Sequence, residues 1–193
     1  VVATLDNPSY EATASGTFVI AKAAQSPLIA TGPESATFGD APVQLETTGG
    51  SGSGEITFSA GASTACSVTT GGLLTITSGT GSCSVTATKA ADSNYEAVSS
   101  EPISVSAIKA TATITLSDLS FTYDGSTKSA TATTLPASLT GVDITYDGTG
   151  TLPVNAGSYA VVATLTNPDY SADAATGTLV IAKAPQAALT VTG

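Results

Sequence analysis

Cys66 and Cys83 are the only thiols in a chain of 193 residues, and their spacing of 17 positions poses the first chemical question. Each opens a strand-like run in a stretch poor in large apolar side chains, and small extracellular domains use a disulfide to supplement a thin core. A disulfide is therefore the favoured reading, with a reduced pair or a pair of metal ligands as the alternatives. With no His and no further Cys, a tetrahedral zinc site would lack ligands. The second chemical group is acidic. Asp124, Asp143, Asp147, Asp169 and Asp173 fall in or near turns of the last third of the chain, and carboxylates so placed could line a calcium site. No EF-hand loop or Gly-Asp nonapeptide accompanies them, and Asp also favours turns by bonding its own backbone. Calcium is the one candidate cofactor, and ordinary turn chemistry is the favoured account of these residues.

Catalysis finds little support. Serine is abundant, but without a His partner or a Gly-x-Ser-x-Gly elbow it has no general base, and without Arg the usual anion clamps are missing. The glycine run 49–54 lacks the Lys of a phosphate-binding loop. The expectation is a protein that is not an enzyme. Fifteen acids against 5 lysines leave a net charge of -10, which repels nucleic acids and anionic lipid surfaces. No apolar run approaches the roughly 18 residues needed to span a bilayer, so neither a nucleic-acid partner nor membrane insertion is expected.

Strands must position these residues. Hydrophobic residues make up 41% of the chain, mostly Ala and Val, while aromatics are 5% with no Trp; with so few large side chains, each Tyr or Phe marks a core or corner position. Alternating Val, Ile and Thr runs separated by Gly-rich turns predict strands at 1–5, 17–21, 28–31, 43–46, 55–59, 66–69, 73–77, 82–88 and 103–108. Five more are predicted at 112–116, 129–134, 143–146, 158–165 and 178–182. No helical period competes.

The chain also repeats itself. Residues 161–193 restate residues 1–32 with one extra residue near Thr176, matching at 21 of 32 positions, and such self-similarity marks an array. Three segments share one grammar: Ala-Thr, a turn, a Tyr, then an alternating strand closed by Lys-Ala. They run through Tyr10 to Lys22-Ala23, through Tyr95 to Lys109-Ala110, and through Tyr170 to Lys183-Ala184. The predicted units are thus 1–23 (the end of one domain), 24–109, 110–184, and 185–193 (the start of the next). No Gly- or Pro-rich linker follows a Lys-Ala exit, so neighbouring units should abut. A chain that lacks Met and starts inside a repeat is expected to be an internal part of a longer array.

The third unit resembles the bacterial Ig-like repeats of the MBG and YDG type found in large surface proteins and adhesins. The resemblance rests on Phe121-Thr122-Tyr123-Asp124-Gly125-Ser126-Thr127-Lys128, Pro153 to Tyr159, Asn167-Pro168-Asp169-Tyr170 and Gly177 to Ala184. The middle unit resembles a related Ig-like repeat with a cysteine pair, through Thr37 to Val43, Gly81 to Ala87 and Asn94-Tyr95. The fold implied is all-β, tandem Ig-like β-sandwiches, with a smaller β-grasp-like sheet as an alternative for the YDG unit. Gly157 and Tyr159 have the form of an immunoglobulin tyrosine corner. Laying Ala163-Thr164 on Ala87-Thr88 sets Cys83 opposite Tyr159 and Gly81 opposite Gly157, as if the middle unit pinned the same corner covalently. The resemblance implies an extracellular or cell-surface spacer whose partners are neighbouring repeats, and it carries over no catalytic residue. The alternatives are a self-assembling filament, in which strands of one chain complete another, and a module recognising a glycan or protein.

Overall fold

A computed structural model describes residues 1–186. The expected restart over 185–193 therefore lies almost wholly outside the described residues. No helix occurs among them; the chain is all-β.

At the head, β1 (Val2–Asn7) and β2 (Tyr10–Ser15) form an antiparallel hairpin. The middle unit then contributes ten strands: β3 (Leu28–Thr31), β4 (Ser35–Thr37), β5 (Val43–Gln44), β6 (Glu46–Gly49), β7 (Ile56–Ser59), β8 (Cys66–Val68), β9 (Leu73–Ile76), β10 (Ser82–Lys89), β11 (Val98–Ser99) and β12 (Ile103–Ile108). One layer is built on β10, which pairs with β7 along one edge and with β12 and β11 along the other; β4 then adds to β12 in parallel. The other layer holds β3-β6 and β5-β9-β8. Cys83, Val85 and Ala87 alternate inward along β10 and meet Leu28, Leu45, Leu74 and Ile76 in a single core, the pattern of a sheet with one face buried. The strand predicted over 43–46 divides in two at Leu45. That side chain is buried, and its N–H bonds to the Gly72 carbonyl at 2.8 Å, so the backbone leaves one pairing for another there.

The third unit contributes β13 (Ala110–Thr111), β14 (Thr113–Ser117), β15 (Ser120–Thr122), β16 (Thr131–Leu135), β17 (Val142–Tyr146), β18 (Gly157–Leu165), β19 (Tyr170–Ser171) and β20 (Ala175–Ala182). A sheet of order β15-β20-β18-β17 is overlaid by the antiparallel pair β14-β16, and Leu116 and Ala130 pack on Val161, Leu179 and Ile181 between them. This is a two-layer sandwich. Its main sheet has the registers of the middle unit: Cys83↔Val105 corresponds to Tyr159↔Leu179, Ala87↔Phe58 to Ala163↔Ile144, and Ile108↔Thr37 to Ala182↔Thr122. The short strands β4, β11, β15 and β19 escape periodicity because two or three residues cannot display a period of two.

The head hairpin keeps part of this register. Gly16 N–H bonds to the Val1 carbonyl and Ala3 pairs with Ala14, as Val161 pairs with Gly177 and Ala163 with Ala175. The extra residue of the second copy therefore lies just before Ala175, between it and Tyr170. The predicted strand over 17–21 does not form. In the third unit the matching strand is held by Gly157–Ala160 and by β15, and residues 1–23 contain no counterpart of either. Val1, Phe18 and Ile20 are consequently 84%, 75% and 81% exposed, where Val161, Leu179 and Ile181 are at most 2% exposed.

Candidate functional site

Several of the polar and aromatic residues stand at the joints between units. Each unit carries a turn of the form Asx-x-x-Tyr. The Asn167 amide oxygen accepts the N–H groups of Asp169 (2.9 Å) and Tyr170 (3.0 Å). Asp92 does the same for Asn94 and Tyr95 at 2.8 and 2.9 Å, and Asn7 accepts from Ser9 at 2.9 Å. Such Asx turns arise because a short acceptor side chain substitutes for backbone pairing. The turn fixes its Tyr at the point where the chain enters from the preceding unit. Ala110 pairs in parallel with Tyr170, and Ala23 forms the same bridge with Tyr95. The entering Ala donates to the residue before the Tyr in both places: Ala110 N–H to Asp169 O at 2.9 Å, and Ala23 N–H to Asn94 O at 2.8 Å.

At the joint between the middle and third units the contact goes further. Phe38 stands edge-on to Tyr170, with ring centroids 5.5 Å apart and planes at 82°. The Gly79 N–H donates to the Asp169 carboxylate at 2.9 Å, and the Lys109 ammonium donates to the Asn167 carbonyl at 2.6 Å. Gly79 is there for room: a Cβ would lie 2.7 Å from Asp169 Cα and 2.9 Å from the carbonyls of Pro168 and Asp169. Phe38, Gly79 and Lys109 thus form a socket for the turn 167–170. Nothing in local sequence marks Phe38 or Gly79 for this role, since the socket is assembled from three separate segments.

Cys66 and Cys83 form a disulfide between β8 and β10, with Cα atoms 5.7 Å apart, so it links the two layers of the middle unit. Cys83 stands opposite Tyr159 as the alignment implied, but its partner is a strand of the facing layer. Tyr159 instead donates its hydroxyl to the Asn155 carbonyl at 2.8 Å, tying β18 to the loop before it, with the ring against Gly157. A second tyrosine does deeper work: the buried Tyr146 hydroxyl accepts the buried Ala130 N–H at 2.8 Å, a bond that the sequence did not foretell.

The five acids proposed for calcium do not converge, and no group of three His, Cys, Asp or Glu side chains is placed to hold a metal among the described residues. Asp124 accepts from Lys128 at 2.6 Å and from Ser126, which holds its carboxyl far below the usual carboxylate range; the same Lys128 lies 5.6 Å from the centre of the Phe121 ring. Asp147 accepts the Ala160 N–H at 2.8 Å, Asp169 serves the joint, and Asp143 sits in β17 opposite Thr164. In the middle unit, Asp92 also accepts the Ser53 N–H at 2.7 Å, and that bond, with those from Asn94 and Tyr95, lowers its pKa from 3.8.

No curated protein matches the chain. Among solved structures, the fibronectin(III)-like modules of Clostridium thermocellum CbhA are similar at 14% identity and a TM-score of 0.30, over 86% of this chain and 100% of that one. The MBG domain matches over residues 1–24 and 112–185. It is a bacterial Ig-like module of surface proteins, typically non-catalytic. The two matched stretches bracket the disulfide-linked unit and account for half the residues, and the chain belongs to the MBG domain family.

Proposed function

We propose that the chain is a stretch of a tandem array, divided at 1–23, 24–109, 110–184 and 185 onward, that serves as the spacer of an extracellular bacterial surface or secreted protein. The observation that carries this reading is the joint at Lys109. The last strand of one unit runs into the next with a single residue between β12 and β13, and side chains of both units interlock across the boundary. Such a joint fixes the angle between units, as a spacer requires. Small-angle scattering of the 193-residue chain, with residual dipolar couplings measured in the middle and third units, tests it. One alignment tensor for both units is expected, and two independent tensors would refute the spacer reading.

The exposed head supports a second reading, completion by strands from outside residues 1–186. Val1, Phe18 and Ile20 stand at the positions that Val161, Leu179 and Ile181 hold in the third unit's core, and an open edge of this kind is a template for an added strand. The strands would come from a longer chain or from another molecule. Hydrogen exchange of the monomeric chain separates this from self-contained folding: rapid exchange at 17–21 is expected, and strong protection there would refute completion.

A further inference from the structure

The far end of the third unit carries counterparts of the residues that form the socket for the turn 167–170. Tyr123 occupies the place of Phe38: each follows the short strand added in parallel to the unit's last strand, and each N–H bonds to that strand's end at 2.8 Å, Phe38 to Ile108 and Tyr123 to Ala182. The shared register that equates Ser82↔Ser106 with Ser158↔Val180 puts Asn155 at the place of Gly79, and Lys183 matches Lys109 as the residue after the last strand. Tyr123, Asn155, Ala156, Lys183 and Gln186 line one cleft of about 660 Å³, and Tyr123 is 39% exposed there.

We propose that this cleft is a docking socket for the Asx-x-x-Tyr turn of a following disulfide-linked Ig-like unit, a copy of the type seen at residues 24–109. The proposal rests on the tandem reading above and assigns its contact residues. The occupant is identified by continuity: Lys183-Ala184 leads into Gln186 as Lys22-Ala23 leads into Gln25. Gln25 is the residue that ties the entry of the middle unit, donating to Ala90 O (3.2 Å) and Glu96 O (2.7 Å) and accepting from Ser51 N–H (3.0 Å). The Tyr of the incoming turn packs against the Tyr123 ring, as Tyr170 packs against Phe38, and the docked turn covers Asn155. The incoming turn sits farther out over Asn155 than 167–170 does over Gly79, because the Asn155 side chain fills the space that Gly79 leaves to Pro168 and Asp169.

The test uses the full chain extended after Ala184 by a second copy of residues 24–109, compared with the 193-residue chain by NMR. In the extended chain, the Asn155 amide should exchange at least tenfold more slowly, and Tyr123 ring protons should show nuclear Overhauser contacts to the Tyr of the added unit. Tyr123→Ala should abolish the added protection of Asn155 while leaving the exchange of Val161 and Leu179 unchanged. Unaltered Asn155 exchange and no Tyr123 contacts, with the extended chain still giving one alignment tensor for its middle and third units, would overturn the socket and leave the spacer reading standing. Two tensors for those units would instead overturn the spacer reading.

Discussion

Breaking the Cys66–Cys83 bond should separate the stabilities of the two complete units. The bond closes a loop of 17 residues. In the chain-entropy treatment a loop of that length restricts the unfolded chain by about 10 cal/mol/K, or about 3 kcal/mol at 25 °C. For a domain of 60–100 residues, each kcal/mol shifts the melting temperature by about 4–8 °C, so reduction should lower that of the middle unit by roughly 12–24 °C. Both cysteines lie in the core, so dithiothreitol should be added under partly denaturing conditions, or the pair replaced as C66A/C83A. Amide exchange read at Val85 and Val105 for the middle unit, and at Val161 and Leu179 for the third, reports both stabilities in one sample. The third pair should hold within about 0.5 kcal/mol, the usual scale for sites without shared partners. A loss below about 1 kcal/mol in the middle unit would refute the view that the staple compensates for a thin core. An equal loss in both units would show that the joint transmits unfolding.

Three further outcomes are expected. Gly79→Val pushes a side chain into the backbone of 168–169, so it should give the two units separate alignment tensors while each keeps its own melting midpoint; an unchanged joint would refute the close fit. Tyr146→Phe leaves the buried Ala130 N–H without its acceptor, a loss of about 1–3 kcal/mol, read as a lower urea midpoint for the third unit alone. The carboxyl of Asp92 has a pKa depressed by N–H donors, first Ser53. A depressed folded-state pKa makes a contribution that is present above the unfolded value and lost as pH falls through the folded one. The middle unit should therefore weaken as pH drops below about 3.8, and Asp92→Asn should flatten that part of its pH profile; a profile with the same slope would show that other acids govern it.

Much of the fold could be read from alternation. Val85 and Val105 sit in strands where Cys, Val, Ala and Ile alternate with Ser and Thr, and one buried face per sheet forces that pattern. The Lys-Ala exits and the Tyr of each turn were legible through repetition, because three copies of one grammar expose what a single copy would hide, but the bridge from each exit Ala to the Tyr of the next unit was not. The joint was less legible. Phe38, Gly79 and Asp169 are far apart in the chain, and only the pairing of β4 with β12 and the turn at 167–170 bring them together. The failure of residues 17–21 to form a strand has a related cause: their alternation is intact, but a strand is a pairing, and its partners lie outside residues 1–23. The aspartates left two readings open for a chemical reason, since carboxylates that cap turns and carboxylates that bind calcium share the same loops. Asp124, Asp147 and Asp169 follow the favoured one, accepting from neighbouring N–H groups or side chains.

The direction in which each unit is left by the chain has a consequence for tension. In both complete units the final strand, β12 or β20, lies between an antiparallel neighbour and a parallel one, and the chain departs along the strand's own axis. Its hydrogen bonds run across the strand. A pull transmitted from one unit to the next would therefore load those rungs together, in shear, instead of peeling them one at a time. The parallel bridges at Ala110–Tyr170 and Ala23–Tyr95 would meet the same pull in the same orientation. A row of such units would yield only when a whole ladder gives way at once.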